Sequence, residues 1–319
     1  MRIPRGHRRR GCAALLLVGA LVLPTLGCGT GTAAAPAVAS HKTALESGPG
    51  TPIADGFVVA PDSKLVGVAF PRDPDGWVAV LAVDANPLRV VDAYLAQAAA
   101  HGLHASPQCT VDYPKGPTYR QELLDDQHKP RPGAQSISCT TGTDNGSGGP
   151  WWYLFLHWGT LYDRTVSFTS AYMEYAPAGN SAPVAASRAP SQMPTMTSWK
   201  RPTTATVGQR FDGDYAGLNI GHRPGLFVAP GSELAAPVAD TDCGTGGLAA
   251  VLKTSGSAEV VRSYVQQFMD NDFPPGPPRQ IRHSGATVMA GRVAGGGDLS
   301  LTQFTSHGTH WLLILRCND

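Results

Sequence analysis

Two pairs of histidines stand three residues apart, His101 with His104 and His307 with His310, a spacing that on a helix turns two imidazoles toward one metal ion. Neither pair has that geometry available. Gly102 interrupts the first at an expected helix end, and His307-Gly308-Thr309-His310 reads as a hairpin turn, so a helix-terminal histidine and exposed turn histidines are expected instead of a metal site. Asp240 and Asp242 come nearest to a paired-carboxylate acid/base arrangement, yet they lie beside Cys243 and an expected disulfide. The glycine clusters at 142–149 and 295–297 lack the Lys-Ser/Thr ending of a phosphate loop and read as hairpin turns, with Asp144-Asn145-Gly146 and Asp298 supplying the turn chemistry. No G-x-S-x-G elbow, H-E-x-x-H or Cys/His pairing occurs. These residue types assign no catalytic group, no metal and no cofactor.

Two further sets of residues carry chemistry of a different kind. The run Trp151-Trp152-Tyr153-Leu154-Phe155-Leu156-His157-Trp158 is apolar on both faces, as a central strand between a helix layer and another layer would be. Trp151, Tyr153 and Trp158 become ligand-binding candidates if they line a concave surface. Of six cysteines, Cys109, Cys139, Cys243 and Cys317 fall in the body of the chain, an even number that suggests two disulfides in an oxidising compartment. Three pairings are possible. The absence of a C-x-x-C pair argues against structural zinc.

The compartment is written at the amino terminus. Arg2, Arg5, Arg8, Arg9 and Arg10 precede an apolar run from Ala13 to Leu23, and Thr25-Leu26-Gly27-Cys28 closes the segment. A permanent membrane helix needs about 18 or more apolar residues, and Pro24 breaks this run sooner. The segment resembles a bacterial lipoprotein signal, of the kind found in actinobacteria. That resemblance implies cleavage before Cys28, attachment of diacylglycerol and palmitate-type acyl chains to it, and a protein held at the outer face of the cell membrane. An ordinary secretory signal cut within Thr32-Ala33-Ala34-Ala35 is the alternative. Removing residues 1–27, which hold five arginines and no acid, takes the net charge from +1 to −4. A mildly acidic chain has no basic footprint for nucleic acid.

The elements that must position these residues show an internal correspondence. Val59-Ala60-Pro61-Asp62-Ser63-Lys64-Leu65 recurs as Val228-Ala229-Pro230-Gly231-Ser232-Glu233-Leu234, and Gly76-Trp77-Val78-Ala79-Val80-Leu81 as Gly247-Leu248-Ala249-Ala250-Val251-Leu252. Val90-Val91, Tyr94 and Gln97 match Val260-Val261, Tyr264 and Gln267 at nearly the same offset. The duplication puts two cysteines in each half and favours Cys109 with Cys139 and Cys243 with Cys317.

Each half carries one expected helix. Asn86 caps the first, Pro87 starts it, Leu88, Val91, Leu95 and Ala98 form its apolar stripe, and Gly102 ends it. Ser257 caps the second, whose stripe is Val261, Tyr264, Val265 and Phe268 before Pro274 and Pro275. Strands are expected at 77–83, 135–140, 151–158 and 165–173, and again at 248–252, 287–294, 299–305 and 311–317.

The fold class is therefore α+β: two similar domains, each a small mainly antiparallel sheet with one helix packed on it. The expected order is signal peptide 1–27, flexible tether 28–52, first α+β repeat 53–175, Pro/Ser-rich linker 176–208 and second repeat 209–319. Edge-to-edge and face-to-face stacking of the sheets remain open. The functional expectation is a membrane-anchored envelope lipoprotein of non-enzymatic binding or interaction type, whose paired domains present a surface or inter-domain groove to an unidentified ligand or envelope protein. The alternative is an envelope hydrolase with a dispersed catalytic site.

Overall fold

A computed structural model describes residues 45–72, 75–115, 118–124, 133–143, 150–160, 167–177, 193, 204–212, 225–241, 247–292 and 297–317. The expected signal peptide, Cys28, most of the expected tether, most of the expected linker, Asp242 and Cys243 lie outside the described residues.

In the first half the elements are β1 (Glu46–Ser47), β2 (Pro52–Ala54), β3 (Phe57–Val58), β4 (Ser63–Val66), β5 (Phe70–Arg72), β6 (Gly76–Val83) and α1 (Pro87–Ala100). They are followed by β7 (Gln108–Lys115), β8 (Thr118–Leu124), β9 (Ser136–Gly142), β10 (Trp151–Thr160) and β11 (Ser167–Ala176). The second half has β12 (Ser232–Leu234), β13 (Ala239–Asp240), β14 (Leu248–Thr254), α2 (Ala258–Asp270), β15 (Arg279–Gln280), β16 (Thr287–Arg292), β17 (Asp298–Ser306) and β18 (Thr309–Cys317). The fold is dominated by antiparallel sheet, with two sheet-rich bodies and two helices among the described residues. One sheet runs β1-β4-β6-β11-β10-β9-β7-β8 and the other β12-β14-β18-β17-β16-β15. Dropping the edge strands β1 and β8 leaves the same order in both.

Local chemistry explains the helices. The Asn86 side chain accepts from the Arg89 backbone N–H at 3.1 Å, and Pro87 opens α1. The helix ends when Gly102 turns to φ +73° and Leu103 N–H donates back to Ala98 O at 2.9 Å. The end of α2 repeats that motif with Asp272 at φ +63° and Phe273 N–H on Phe268 O at 2.9 Å. The second helix thus ends at Asp270, and Asp272 turns the chain ahead of the prolines expected to stop it. Ser257 holds the N-cap position but makes no side-chain capping bond.

The alternation of side chains across each sheet builds three cores. Trp77, Ala79, Leu81 and Val83 of β6 join α1 through Leu88, Val91, Tyr94, Leu95 and Ala98. Leu248, Ala250 and Leu252 of β14 join α2 through Val260, Tyr264 and Phe268. Val261 and Val265, placed on the buried stripe from the sequence, are only half-buried, because the helix turns its Val260-Tyr264-Phe268 row inward. The remaining faces meet each other: Val66, Phe70, Val78 and Val80 share a core with Val251, Trp311 and Leu313. The sheets therefore stack face to face within one compact unit, Thr43–Asp319. Gly67, at φ +68°, sits in this seam, where an added Cβ would lie 2.9 Å from Val251 Cγ1 and 3.0 Å from the Trp311 ring.

Two boundaries shift from expectation. Residues 46–52, assigned to the tether, already enter β1 and β2, because Glu46 and Ser47 pair with Val66 and Leu65. β11 continues to Ala176, past the expected start of the linker, through its pairing with Trp151. Cys109 and Cys139 are register partners on β7 and β9 and form a disulfide with Cα atoms 4.1 Å apart. Cys317 is also disulfide-bonded.

Candidate functional site

The two helices are tied to their sheets by the same polar device. Tyr94 Oη accepts from Ala60 N–H at 3.2 Å and lies 3.4 Å from Ser63 Oγ, while Gln97 Oε1 accepts from Val58 N–H at 2.8 Å. In the second half Tyr264 Oη accepts from Ala229 N–H at 3.1 Å beside Ser232 Oγ at 2.7 Å, and Gln267 Oε1 accepts from Phe227 N–H at 2.7 Å. Burial pushes both phenols above their ordinary range. These residues are structural ties, so the tyrosine and glutamine that recur in the sequence hold the strand-entry loops against the helices.

The aromatic strand β10 is central, as its composition demands, between β9 and β11. Trp158 turns into the helix-side core and is 9 % exposed. Trp151 and Tyr153 lie on the opposite face, stacked at 6.1 Å, with the Arg72 guanidinium 5.6 Å above the Trp151 ring. Neither of the two concavities described below includes Trp151, Tyr153 or Trp158. Arg72 also pairs with Glu174, which is buried on the same face.

Burial, only partly opposed by Arg72, raises the Glu174 carboxyl above the usual glutamate range. The folded chain therefore favours the protonated acid. That contribution to stability is present in acid, below the ordinary glutamate value, and is lost as pH rises through the raised folded value. Glu174→Gln is expected to flatten the stability profile across this window and to be no less stable than wild type at pH 7. A loss of more than about 1 kcal/mol in chemical denaturation at pH 7 would show that the pairing with Arg72 outweighs the burial.

A serine, a histidine and an aspartate do meet between the sheets. Ser138 Oγ lies 3.4 Å and Asp240 Oδ2 3.3 Å from His157 Nδ1. Both contacts fall on one ring nitrogen, whereas a nucleophilic relay places serine and carboxylate on opposite nitrogens. His157 is 1 % exposed and lines neither described cavity. Asp240 thus serves as a cross-sheet partner of a buried histidine. Of the other histidines, His101 caps α1 with its ring stacked on Phe57 at 4.6 Å, and His307 sits exposed in the turn between β17 and β18 at φ +47°. His310 faces Thr305 Oγ1 at 2.9 Å. Among the described residues no group of three or more His, Cys, Asp or Glu side chains converges on a metal position.

The concave feature that unites the two halves lies at the end of the inter-sheet seam. A cavity of about 420 Å³ is walled by Leu65, Val68 and Ala69 from one half and by Phe304, Ser306 and Trp311 from the other, with Ile53 from β2 closing a side. Leu65 and Trp311 are buried at its floor, while Pro52 and His307 are exposed at its edge. Its polar groups are Ser47, Thr51, Ser306, His307, Thr309 and Trp311, and no Lys, Arg, Asp or Glu lines it. The Trp311 indole N–H is buried and meets no acceptor among the described residues. Volumes of roughly 300–1,000 Å³ with mostly apolar walls and a few polar groups are typical of small-molecule sites. A second cavity, about 390 Å³, lies along the edge strand β12 and is lined by Leu45, Thr204, Val207, Glu233 and Leu234 among others. Sequence reasoning allowed a groove between the paired domains but assigned none of the residues that line this cavity. Its one local signal was Gly67, an isolated glycine just beyond a strand.

No protein-family model matches the chain, and no curated protein matches it. Among solved structures it is similar to an erythromycin dehydratase, with 11% identity, 86% of this chain and 98% of that one covered, and a TM-score of 0.19. A bifunctional dehydratase-cyclase domain in ambruticin biosynthesis shows 12% identity, coverage of 82% and 96%, and a TM-score of 0.17. An acyl-CoA thioesterase II, TesB2, from Mycobacterium marinum shows 8% identity, coverage of 75% and 91%, and a TM-score of 0.14. Likenesses at these TM-scores carry neither a fold nor an activity to this chain.

Proposed function

We propose that the chain is an exported envelope lipoprotein, anchored through Cys28 at the outer face of the membrane, that binds a small ligand between two copies of one duplicated sheet-and-helix unit. The observation that carries the binding reading is the cavity whose walls come from both sheets. The shared strand order and the matching Tyr/Gln ties support duplication. The basic, apolar and Cys28-terminated start supports anchoring. Among the described residues no helix is long and apolar enough to cross a membrane. An acyl anchor with two or more chains would hold the protein stably, each buried methylene contributing about 0.8 kcal/mol.

Fractionation followed by native mass spectrometry tests both parts. Wild type is expected in the membrane fraction and, once gently released, to carry a noncovalent small-molecule adduct. Cys28→Ser is expected in the soluble fraction, and Val68→Trp, which fills the cavity, should lose the adduct while remaining membrane-bound. Cys28→Ser partitioning like wild type would reject the anchor, and an adduct retained by Val68→Trp would reject the site.

A further inference from the structure

We infer that the inter-sheet cavity takes a single acyl chain of a membrane amphiphile, with the polar head left at the Pro52–His307 edge; this rests on the binding reading above. Three features of the site converge on that chemistry. Its floor and most of its walls are hydrocarbon or aromatic: Leu65, Val68, Phe304 and Trp311. Its polar groups are hydroxyls, one imidazole and one indole N–H, and no Lys, Arg, Asp or Glu is available to offset a buried charge. A phosphate, nucleotide or zwitterionic amino acid held inside would lack an ionic partner and would be costly to desolvate. An acyl chain needs none, and its ester or carboxyl oxygens are acceptors that match hydroxyl and indole donors at the rim and wall.

The third feature is placement. Cys28 precedes Leu45 by 17 residues, a length of chain that can reach at most about 60 Å. Ser47, only two residues past Leu45, already lines the cavity. With Cys28 anchored as proposed, the covalent chain alone would keep Ser47, and the cavity it lines, within several tens of ångströms of the bilayer. A site fed from the aqueous phase gains nothing from that position. A site fed from the membrane gains a high local supply of acyl chains, by the effective-concentration effect of a short tether.

Titration with cis-parinaric acid, a fluorescent C18 fatty acid, tests the assignment on lipidated wild type and on the Cys28→Ser chain. Both are expected to bind saturably at one site per chain, with energy transfer from tryptophan, and palmitate should displace the probe whereas hexanoate and glucose should not. Val68→Trp and Ala69→Phe, two independent ways to fill the cavity, should each weaken binding at least tenfold while their thermal midpoints confirm a folded chain. Unsaturable binding, or binding unchanged in the two filled variants, overturns the acyl assignment. Binding by Cys28→Ser alone overturns the membrane source, because the protein's own anchor would then occupy the cavity. If the probe fails to bind while wild type carries a non-acyl adduct, the acyl assignment falls and the binding reading stands. If neither probe nor adduct is found, both fall.

Discussion

Trp311→Ala is expected to cost about 3–5 kcal/mol, the usual loss for truncating a buried tryptophan. Trp311 is 2 % exposed and lies where the two sheets meet, in one core with Val66, Phe70, Val78 and Val251. Gly67 lets the first sheet approach its ring so closely that a Cβ would lie 3.0 Å away, which means the seam is shaped around the indole. Removing it opens a void that two stiff sheets cannot collapse to fill. At about 2–4 °C per kcal/mol for chains of this size, the thermal midpoint should fall by roughly 10 °C. Trp311→Phe should recover most of that loss. A midpoint within 2 °C of wild type for Trp311→Ala, by about the same conversion, would mean that the sheets do not pack through this residue.

The second large effect is electrostatic. Asp212 is 1 % exposed and accepts from Arg316 Nη1 at 3.0 Å and from Arg210 Nε at 2.6 Å. Arg316 is itself buried near the end of β18, opposite Leu248. Asp212→Ala takes this carboxylate from a buried guanidinium, a change that costs about 3–5 kcal/mol when no new partner replaces it. Replacing both groups, Asp212→Leu with Arg316→Met, should recover most of the loss, because the desolvation cost of the pair disappears with it. Denaturant titration at neutral pH separates these cases. A mild loss for the single variant, or an equally large one for the double, would show that the pair is not the tie that fastens residues 210–212 to the second sheet.

How far the sequence could be read follows the range of the interactions. The caps, turns and apolar stripe of α1 depend on residues within a few positions, and Asn86, Pro87 and Gly102 act as expected. Tyr94, Gln97, Tyr264 and Gln267 stood out as repeated polar residues, and their role is equally repeated. Tyr264 and Phe268 of the expected α2 stripe are buried, but Val260 takes the place of Val261, because the two valines are chemically alike and only the partner sheet decides which turns inward. β7 and β8 went unrecognised although Gln108 to Tyr113 alternates polar and apolar, because Pro114 ends that run and β8 carries the polar stretch Arg120-Gln121-Glu122. The inter-sheet cavity was illegible for a deeper reason. It joins residues such as Gly67 and Trp311, more than 200 positions apart, and no local pattern records that two sheets meet face to face.

The proposed placement of a ligand between the sheets is tested most directly by hydrogen exchange on the purified protein, before and after organic extraction of any small molecule that co-purifies with it. Slower exchange in the occupied state is expected together at 65–69 and at 304–311, one segment from each sheet. Protection confined to one of these segments, or appearing along α1 or α2 instead, would contradict a site built from both halves.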